Sequence, residues 1–558
     1  MRSKVLVVVV ALAVAACGGP AGNDSGLKGA NQTLGQADVN PRDPAEVADG
    51  GNFTWPIDNM ADTWNYWHLN GTPADGSRIL RTFMPNLVVQ NADATISLNK
   101  DYLESAELTS SEPQVIELKI NPKARWSDGR QIDWTDFESM WKALNATNKA
   151  YQTNTKTGYE DISKVERGAT DQDVKVTFRK RFAEWRSLFS PLFPKSVFDS
   201  PEEFNTGWVD APKITAGPFK LGSIDRTAKI VTVVRDPAWW GERPKLDSIT
   251  FRQVDRAAQA DAFANGQIDW YDIGASVDSY RKAKSTPGAV IRQAVSPDYM
   301  HVTFNGAESS ILKDPKLRVA LMRGIDTKAI TRAVIGQMLK SDAQVIGNRF
   351  FMLGSKQYQD NSAVAAFDRE AARGKLEELG WKLDGEFRKK DGRELAVRLV
   401  IPLPNAVSTD IAKLIQSQLR EIGVKIDIQH VPLADFFEDF VNVGNFDAAI
   451  FRWLSTATPV SSAAGIYTLT EGAVGQNYGR VGSAEINDLL QRANSELDDT
   501  RRFALANEAD KKVWELGSQL PLYQLPGAVA VRDTVANFGA PAYANNPFDY
   551  IHMGFVKK

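Results

Sequence analysis

The sequence predicts a mixed α/β protein of two or three domains, and three observations carry that expectation. At 558 residues the chain exceeds what one hydrophobic core ordinarily serves. From Phe53 onward, stretches with period-two alternation are interleaved with capped, amphipathic helical stretches. Residues 395–428 read as strand, helix, glycine stop and strand, the order of a parallel βαβ unit with a right-handed crossover.

The N-terminus reads as an export signal. Met1-Arg2-Ser3-Lys4 is basic, Val5 to Ala16 is apolar, and Cys17 follows. The apolar run is shorter than the about 20 residues a membrane-spanning helix needs, and it has the proportions of a secretory signal. Val14-Ala15-Ala16-Cys17 resembles a bacterial lipobox, with small residues before a thiol that can accept a diacylglyceryl group. Residues 1–17 are therefore expected to be a lipoprotein signal peptide with lipidation at Cys17. The alternative is a buried cysteine in an N-terminal strand or helix. Cys17 is the only cysteine, so no internal disulfide forms and stability must come from core size. Residues 18–50 contain no aromatic residue and cannot bury much apolar surface. They are expected to be a flexible tether with an end-to-end distance of roughly 30 Å.

In the body of the chain, Val115–Ile120 and Val174–Phe178 alternate as half-buried strands do. Thr135-Asp136-Phe137-Glu138 has capping-box spacing and opens a helix with Phe137, Met140, Trp141 and Leu144 on one face. Asp314-Pro315 supplies an N-cap and an N1 proline ahead of Leu317, Leu321 and Ile325. In the βαβ unit, Leu395–Ile401 is a buried strand. Ile411, Leu414, Ile415, Gln418, Leu419 and Ile422 trace a helical stripe, Gly423 stops it, and Val424, Ile426 and Ile428 alternate. A further strand, Phe446–Trp453, runs into Ser455-Thr456-Ala457-Thr458-Pro459. Ligands of open α/β sheets sit beyond the carboxyl ends of the strands, which makes Trp453 and this loop candidates for a binding site.

Composition narrows the function. Hydrophobic residues are 43%, charged residues 24% and the net charge is −3, which points away from nucleic acid and from strongly acidic substrates. No dinucleotide, Walker-type, nucleophile-elbow or His-Glu-x-x-His motif is present. His68, His301, His430 and His552 are scattered without metal-ligand spacing. Neither an enzyme nor a cofactor is expected.

Five blocks in order carry a family resemblance. They are Arg125-Trp126-Ser127-Asp128-Gly129 with Thr135-Asp136-Phe137 and Trp141; Thr215 to Leu221; Arg235 to Gly241 with Pro244 to Asp247; Phe304-Asn305, Asp314, Arg318 to Leu321 and Gly324-Ile325-Asp326; and Phe367-Asp368 through Leu379-Gly380-Trp381. Together they resemble the family 5 solute-binding proteins, the oligopeptide and dipeptide binding proteins of ABC transporters, over nearly the whole mature chain. Ser127-Asp128-Gly129 reads as a tight turn, and Trp126 and Trp240 as core anchors.

The resemblance implies a two-lobed α/β protein of the periplasmic-binding-protein type II-like fold, closing on its ligand by hinge motion. The first lobe would comprise residues 51–85, 198–302 and 523–558, an inserted subdomain residues 86–197, and the second lobe residues 303–522. It implies a monomer that captures peptides outside the cytoplasmic membrane, is held there by its lipid anchor, and delivers them to ABC permease and ATPase subunits. Peptide-binding relatives often carry Gly-Trp-x-x-Asp at the strand end, where the Asp holds the peptide ammonium. Here Arg452-Trp453-Leu454-Ser455-Thr456 stands in its place, and a hydroxyl cannot pair with an ammonium as a carboxylate does. Either another acid takes that role or the ligand lacks a free amino terminus. Arg452 either faces the cleft, where it suits a carboxylate or phosphate, or faces solvent. The candidate ligand-binding residues are Trp453, Arg452, Thr456, Ser455 and Asn305, with a second wall at Trp64, Asn65 and Trp67. The alternatives are the same fold binding an oligosaccharide, haem or a glycolipid head group, or acting as an envelope-assembly regulator.

Overall fold

The computed structural model describes residues 36–339, 342–454, 456, 458–470, 474–544 and 549–557. Cys17 and Ser455 lie outside the described residues.

The first lobe is built on a four-stranded sheet. Asn52–Ile57 lies parallel to Ser248–Gln253, which pairs antiparallel with Ile230–Arg235, and that strand with Phe219–Asp225. The chain's last part returns here: Ala528–Arg532 is the centre of a three-stranded antiparallel sheet between Trp270–Asp272 and Ala289–Gln293. Between the first and later strands sits an antiparallel sheet in the order Leu103–Ser111, Gln114–Ile120, Asp173–Phe178, Ile162–Arg167. It carries the two alternating strands expected from sequence. Its core, with Trp126, Phe137 and Phe189, is continuous with that of the first lobe around Phe53, Trp55 and Phe251.

Helix Trp134–Leu144 packs on this sheet and buries Phe137, Met140 and Leu144. Its cap is not the one expected. Asp133, not Thr135, is the N-cap, and Asp136 completes the box. In this register Asp136 serves both the cap and the core. It is fully buried, pairs with Arg130 at 2.6 Å, and accepts from Trp126 Nε1 at 3.1 Å and from Lys195 N at 2.8 Å.

The second lobe is a five-stranded sheet ordered Lys425–Pro432, Ala396–Leu403, Ala448–Trp453, Tyr299–Phe304, Gln519–Gln524. The first two pair in parallel over their whole length, as the βαβ reading requires. Their connecting helix, Ala406–Arg420, is capped by Asn405 and buries Ile411, Ala412, Ile415 and Leu419. Gly423, at φ +78, makes the turn that ends the crossover. Asp314 caps Pro315–Arg323 as expected. Two boundaries shift, because a strand cannot be divided between lobes. All of Tyr299–Phe304 pairs in the second-lobe sheet, ahead of the expected start at 303, and Gln519–Gln524 runs past the expected end at 522.

Of the expected tether, residues 18–50, the part at 18–35 lies outside the described residues. Residues 36–50 form a strap along the first lobe. Asp38 and Ala540 exchange backbone hydrogen bonds of 2.8 and 2.9 Å, Asn40 donates to Val535 O, and Val47 is buried beside its bridge partner Val556. Backbone pairing orders this segment, so its lack of aromatic residues does not leave it loose. Among the described residues, no helix is long and apolar enough to cross a membrane.

Candidate functional site

A cavity of about 430 Å³ lies between the two lobes, within the size range of small-ligand sites. One side is formed by the inserted region, with Gln90, Thr95, Ala183, Glu184, Arg186 and Ser187. The other is formed by second-lobe residues Phe350, Phe351, Met352, Thr456, Arg502 and Phe503. Tyr543, from the chain's last part, closes the lining.

The aromatic wall at 350–352 is fixed from behind. Asn348 Oδ1 accepts from Phe350 N at 3.0 Å and from Phe351 N at 2.9 Å, while its amide donates to Asn507 at 2.7 Å. Arg349 is fully buried, pairs with the equally buried Asp510 at 3.5 Å and stacks 3.7 Å from the Trp514 ring centroid. Burial raises the Asp510 carboxyl above its usual range, and Arg349 opposes that shift. Removing one member of such a pair would strand the other, so the loop's position is over-determined.

Glu184 spans the two lobes. Helix Pro459–Tyr467 has no cap from its own sequence. Val460 N donates to Glu184 Oε1 and Ser461 N to Oε2, each at 3.0 Å, and the Ser461 hydroxyl also donates to this carboxylate. A carboxylate at a helix N-terminus satisfies orphan donors and suits the helix dipole. Burial raises the Glu184 carboxyl, while the bonds from Ser461 and Val460 and the Arg502 charge pull it down. The neighbouring residue is held too: Ala183 N donates to Asn494 O at 2.7 Å, and Arg502 Nη1 donates to Ala183 O at 3.2 Å.

The expected site residues are only partly brought together. Thr456 lines the cavity, with its hydroxyl 2.6 Å from Ser462 Oγ. Trp453 is half-buried and sandwiched between His301 and Tyr478, with centroids 5.8 and 5.7 Å away and both rings within 7° of parallel. It packs against the interlobe cluster of Tyr299, Met352 and Tyr543 without lining the cavity itself. Arg452 cannot join it. Strand neighbours face opposite ways, and Arg452 shares the face of Ala448 and Ile450, while Trp453 shares that of Ala449 and Phe451. It is exposed.

Four other candidates are structural. Asn305 is buried, its amide donating to Gly444 O and Phe446 O and its carbonyl accepting from Ala307 N. Trp64 is fully buried in the first-lobe core. Asn65 is fully buried and ties Phe204 O to Trp67 N, and Trp67 Nε1 donates to Pro191 O at 3.0 Å. Trp64, Asn65 and Trp67 are folding anchors, buried in or against the first-lobe core. Conversely, Glu184, Arg186, Arg502 and the 350–352 loop carry no motif. Their one visible sign is the apolar run Phe350 to Leu353, which follows neither the helical nor the strand period. Among the described residues, no group of three or more His, Cys, Asp or Glu could hold a metal ion.

Two α/β lobes that share a ligand-sized cavity between them define a bilobed solute-binding protein. Residues 98–474 match the model of the bacterial extracellular solute-binding proteins, family 5, and the chain belongs to that family, as its five sequence blocks imply. It is a family of binding proteins, exported from the cytoplasm. The chain is 40% identical over 526 residues to the oligopeptide-binding protein OppA of Mycobacterium tuberculosis, covering 94% of this chain and 88% of that one. Among solved structures it resembles a periplasmic EDTA-binding protein, EppA, with a TM-score of 0.85 at 25% identity over 94% of this chain and 99% of that one. It also shares its fold with AppA of Bacillus subtilis, solved with a nonapeptide, with a TM-score of 0.74 at 20% identity over 92% and 100% of the two chains.

Proposed function

We propose that this protein is the receptor of an ABC importer that captures oligopeptides outside the cytoplasmic membrane and delivers them to its permease. The observation that carries the reading is the cavity walled by both lobes in a chain 40% identical to an oligopeptide-binding protein along nearly its whole length. Phe350, Phe351, Phe503 and Tyr543 offer apolar surface to ligand side chains. The chain crosses between the lobes in the segments before Tyr299–Phe304 and after Gln519–Gln524, and ligand bridging the lobes shifts the open–closed equilibrium by its differential affinity. The signal-like residues before Cys17 support anchoring by acyl chains on that thiol. The protein acts as a monomer with no cofactor.

Native mass spectrometry on protein lacking residues 1–17, with release of co-purified ligand, tests the reading. A mixture of short peptides supports it, and a single non-peptide mass overturns it. One second reading has an observation behind it. The likeness to an EDTA-binding protein favours a polycarboxylate ligand, and a single polyacid mass in the same experiment would establish it.

A further inference from the structure

We infer that the cavity selects for an acidic group on its ligand and offers no unengaged carboxylate to a free ammonium. The inference rests on the cavity being the ligand site. Four charged side chains line it: Glu184, Arg186, Asp499 and Arg502. Both acids are already engaged within the protein. Glu184 accepts from two backbone N–H groups and a hydroxyl at the start of helix Pro459–Tyr467, and its two oxygens are shared between them. Asp499 lies 3.0 Å from Arg502 Nη2. Thr456, which stands where a carboxylate would hold an ammonium, is neutral and its hydroxyl meets Ser462.

The cations are not neutralised to the same extent. Arg186 is exposed, its guanidinium lies 4.3 Å from the Trp185 ring centroid, and among the described residues it has neither a hydrogen bond nor an ion pair. Arg502 is largely buried and keeps an Nε–H with no partner among the described residues. A guanidinium pre-positioned on an aromatic face retains its planar fork for a carboxylate. The cavity therefore holds one cation, Arg186, with no partner among the described residues, while both of its acids are already paired or hydrogen-bonded, so a ligand carboxylate gains charge-assisted bonds. A ligand ammonium meets neutral oxygens and two carboxylates whose charge is already compensated, Asp499 by Arg502 and Glu184 by its N–H and O–H donors, so it gains less.

The test uses a pentapeptide library with neutral side chains in four end-group forms: free, N-acetylated, C-amidated and doubly blocked. The retained fraction on mature protein is read by mass spectrometry, and a thermal melt with metal-free EDTA runs beside it. The expected result is that acetylation leaves retention within about twofold, whereas amidation lowers it at least tenfold. In Arg186→Gln, which alters an exposed side chain, the gap between free and amidated forms narrows. Loss of tenfold or more on acetylation, or indifference to amidation, overturns the inference and leaves the peptide reading intact. If no peptide form is retained but EDTA raises the melting temperature, the peptide reading falls and the acid preference stands. If neither binds, both fall.

Discussion

His301 shows how one side chain couples the binding region to pH. It is fully buried, its Nε2 lies 2.9 Å from Thr303 Oγ1, and its Nδ1 has no partner among the described residues. Burial, helped by the Arg349 charge, lowers its pKa to about 3. The unfolded chain takes up this proton near pH 6.5 and the folded chain does not. The His301 contribution to stability is therefore complete above pH 6.5 and is lost as pH falls toward 3. Relative to His301→Gln, the wild type should lose about 2 kcal/mol between pH 7 and pH 5. Paired thermal melts across that range read this directly, and a constant gap would refute it. A second residue-scale prediction concerns Asp136. Its replacement by Ala leaves the buried Trp126 indole without its acceptor and removes the shorter of Arg130's two ion pairs, so a loss of about 3 kcal/mol is expected in chemical unfolding. Trp453, expected at the site from its place at a strand end, lies beside the cavity without lining it, and Trp64, Asn65 and Trp67, expected as a wall, are buried. An aromatic cluster reads the same whether its faces meet ligand or core. Glu184 was invisible because its partners, Val460 and Ser461, lie far along the chain and only folding makes them neighbours.

At the scale of elements, the βαβ unit of the second lobe was legible because both its periods are strong and Gly423 marks the stop. Gly423 sits at φ +78, and a Cβ there would approach Leu383 Cδ1 to 2.8 Å and Arg388 Cγ to 3.0 Å. Gly423→Ala should cost about 1–2 kcal/mol from the left-handed backbone alone, with the close contacts adding to it. A lowered melting temperature of the second lobe, with the first unchanged, is the expected signature in calorimetry. The π-helical turn at Phe436–Val441 was not legible, since one inserted residue leaves no periodic trace. Nor was the 349–353 loop, whose conformation is set by Asn348, Asn507 and Asp510 through tertiary bonds and not by turn residues of its own.

For the whole molecule, the lobe–lobe contact at Glu184 predicts that closure has a protein-encoded part. Glu184→Gln keeps the volume but turns an accepting oxygen into an NH2 group facing N–H donors. Hydrogen bonds to a charged group contribute about 1.5–3 kcal/mol, so the closed form should become at least tenfold less favoured and ligand affinity should fall in proportion. Small-angle scattering of the ligand-free variant should show a larger radius of gyration with both lobes still folded. An unchanged radius and affinity would assign the contact to packing alone. The two-lobed plan was legible from five motif blocks, while the lobe boundaries were not, because strands Tyr299–Phe304 and Gln519–Gln524 carry no mark of the sheet they join. The strap at residues 36–50 was misread for the converse reason: its order comes from the far end of the chain. That strap has a mechanical meaning. Its bridges, Asp38 to Ala540 and Val47 to Val556, are separated, so a pull from the N-terminal side breaks them one after another by peeling. Freeing its 15 residues releases about 50 Å of extended chain. The strap thus acts as a fuse, spending its own contacts under load before the sheets that shape the cavity are strained.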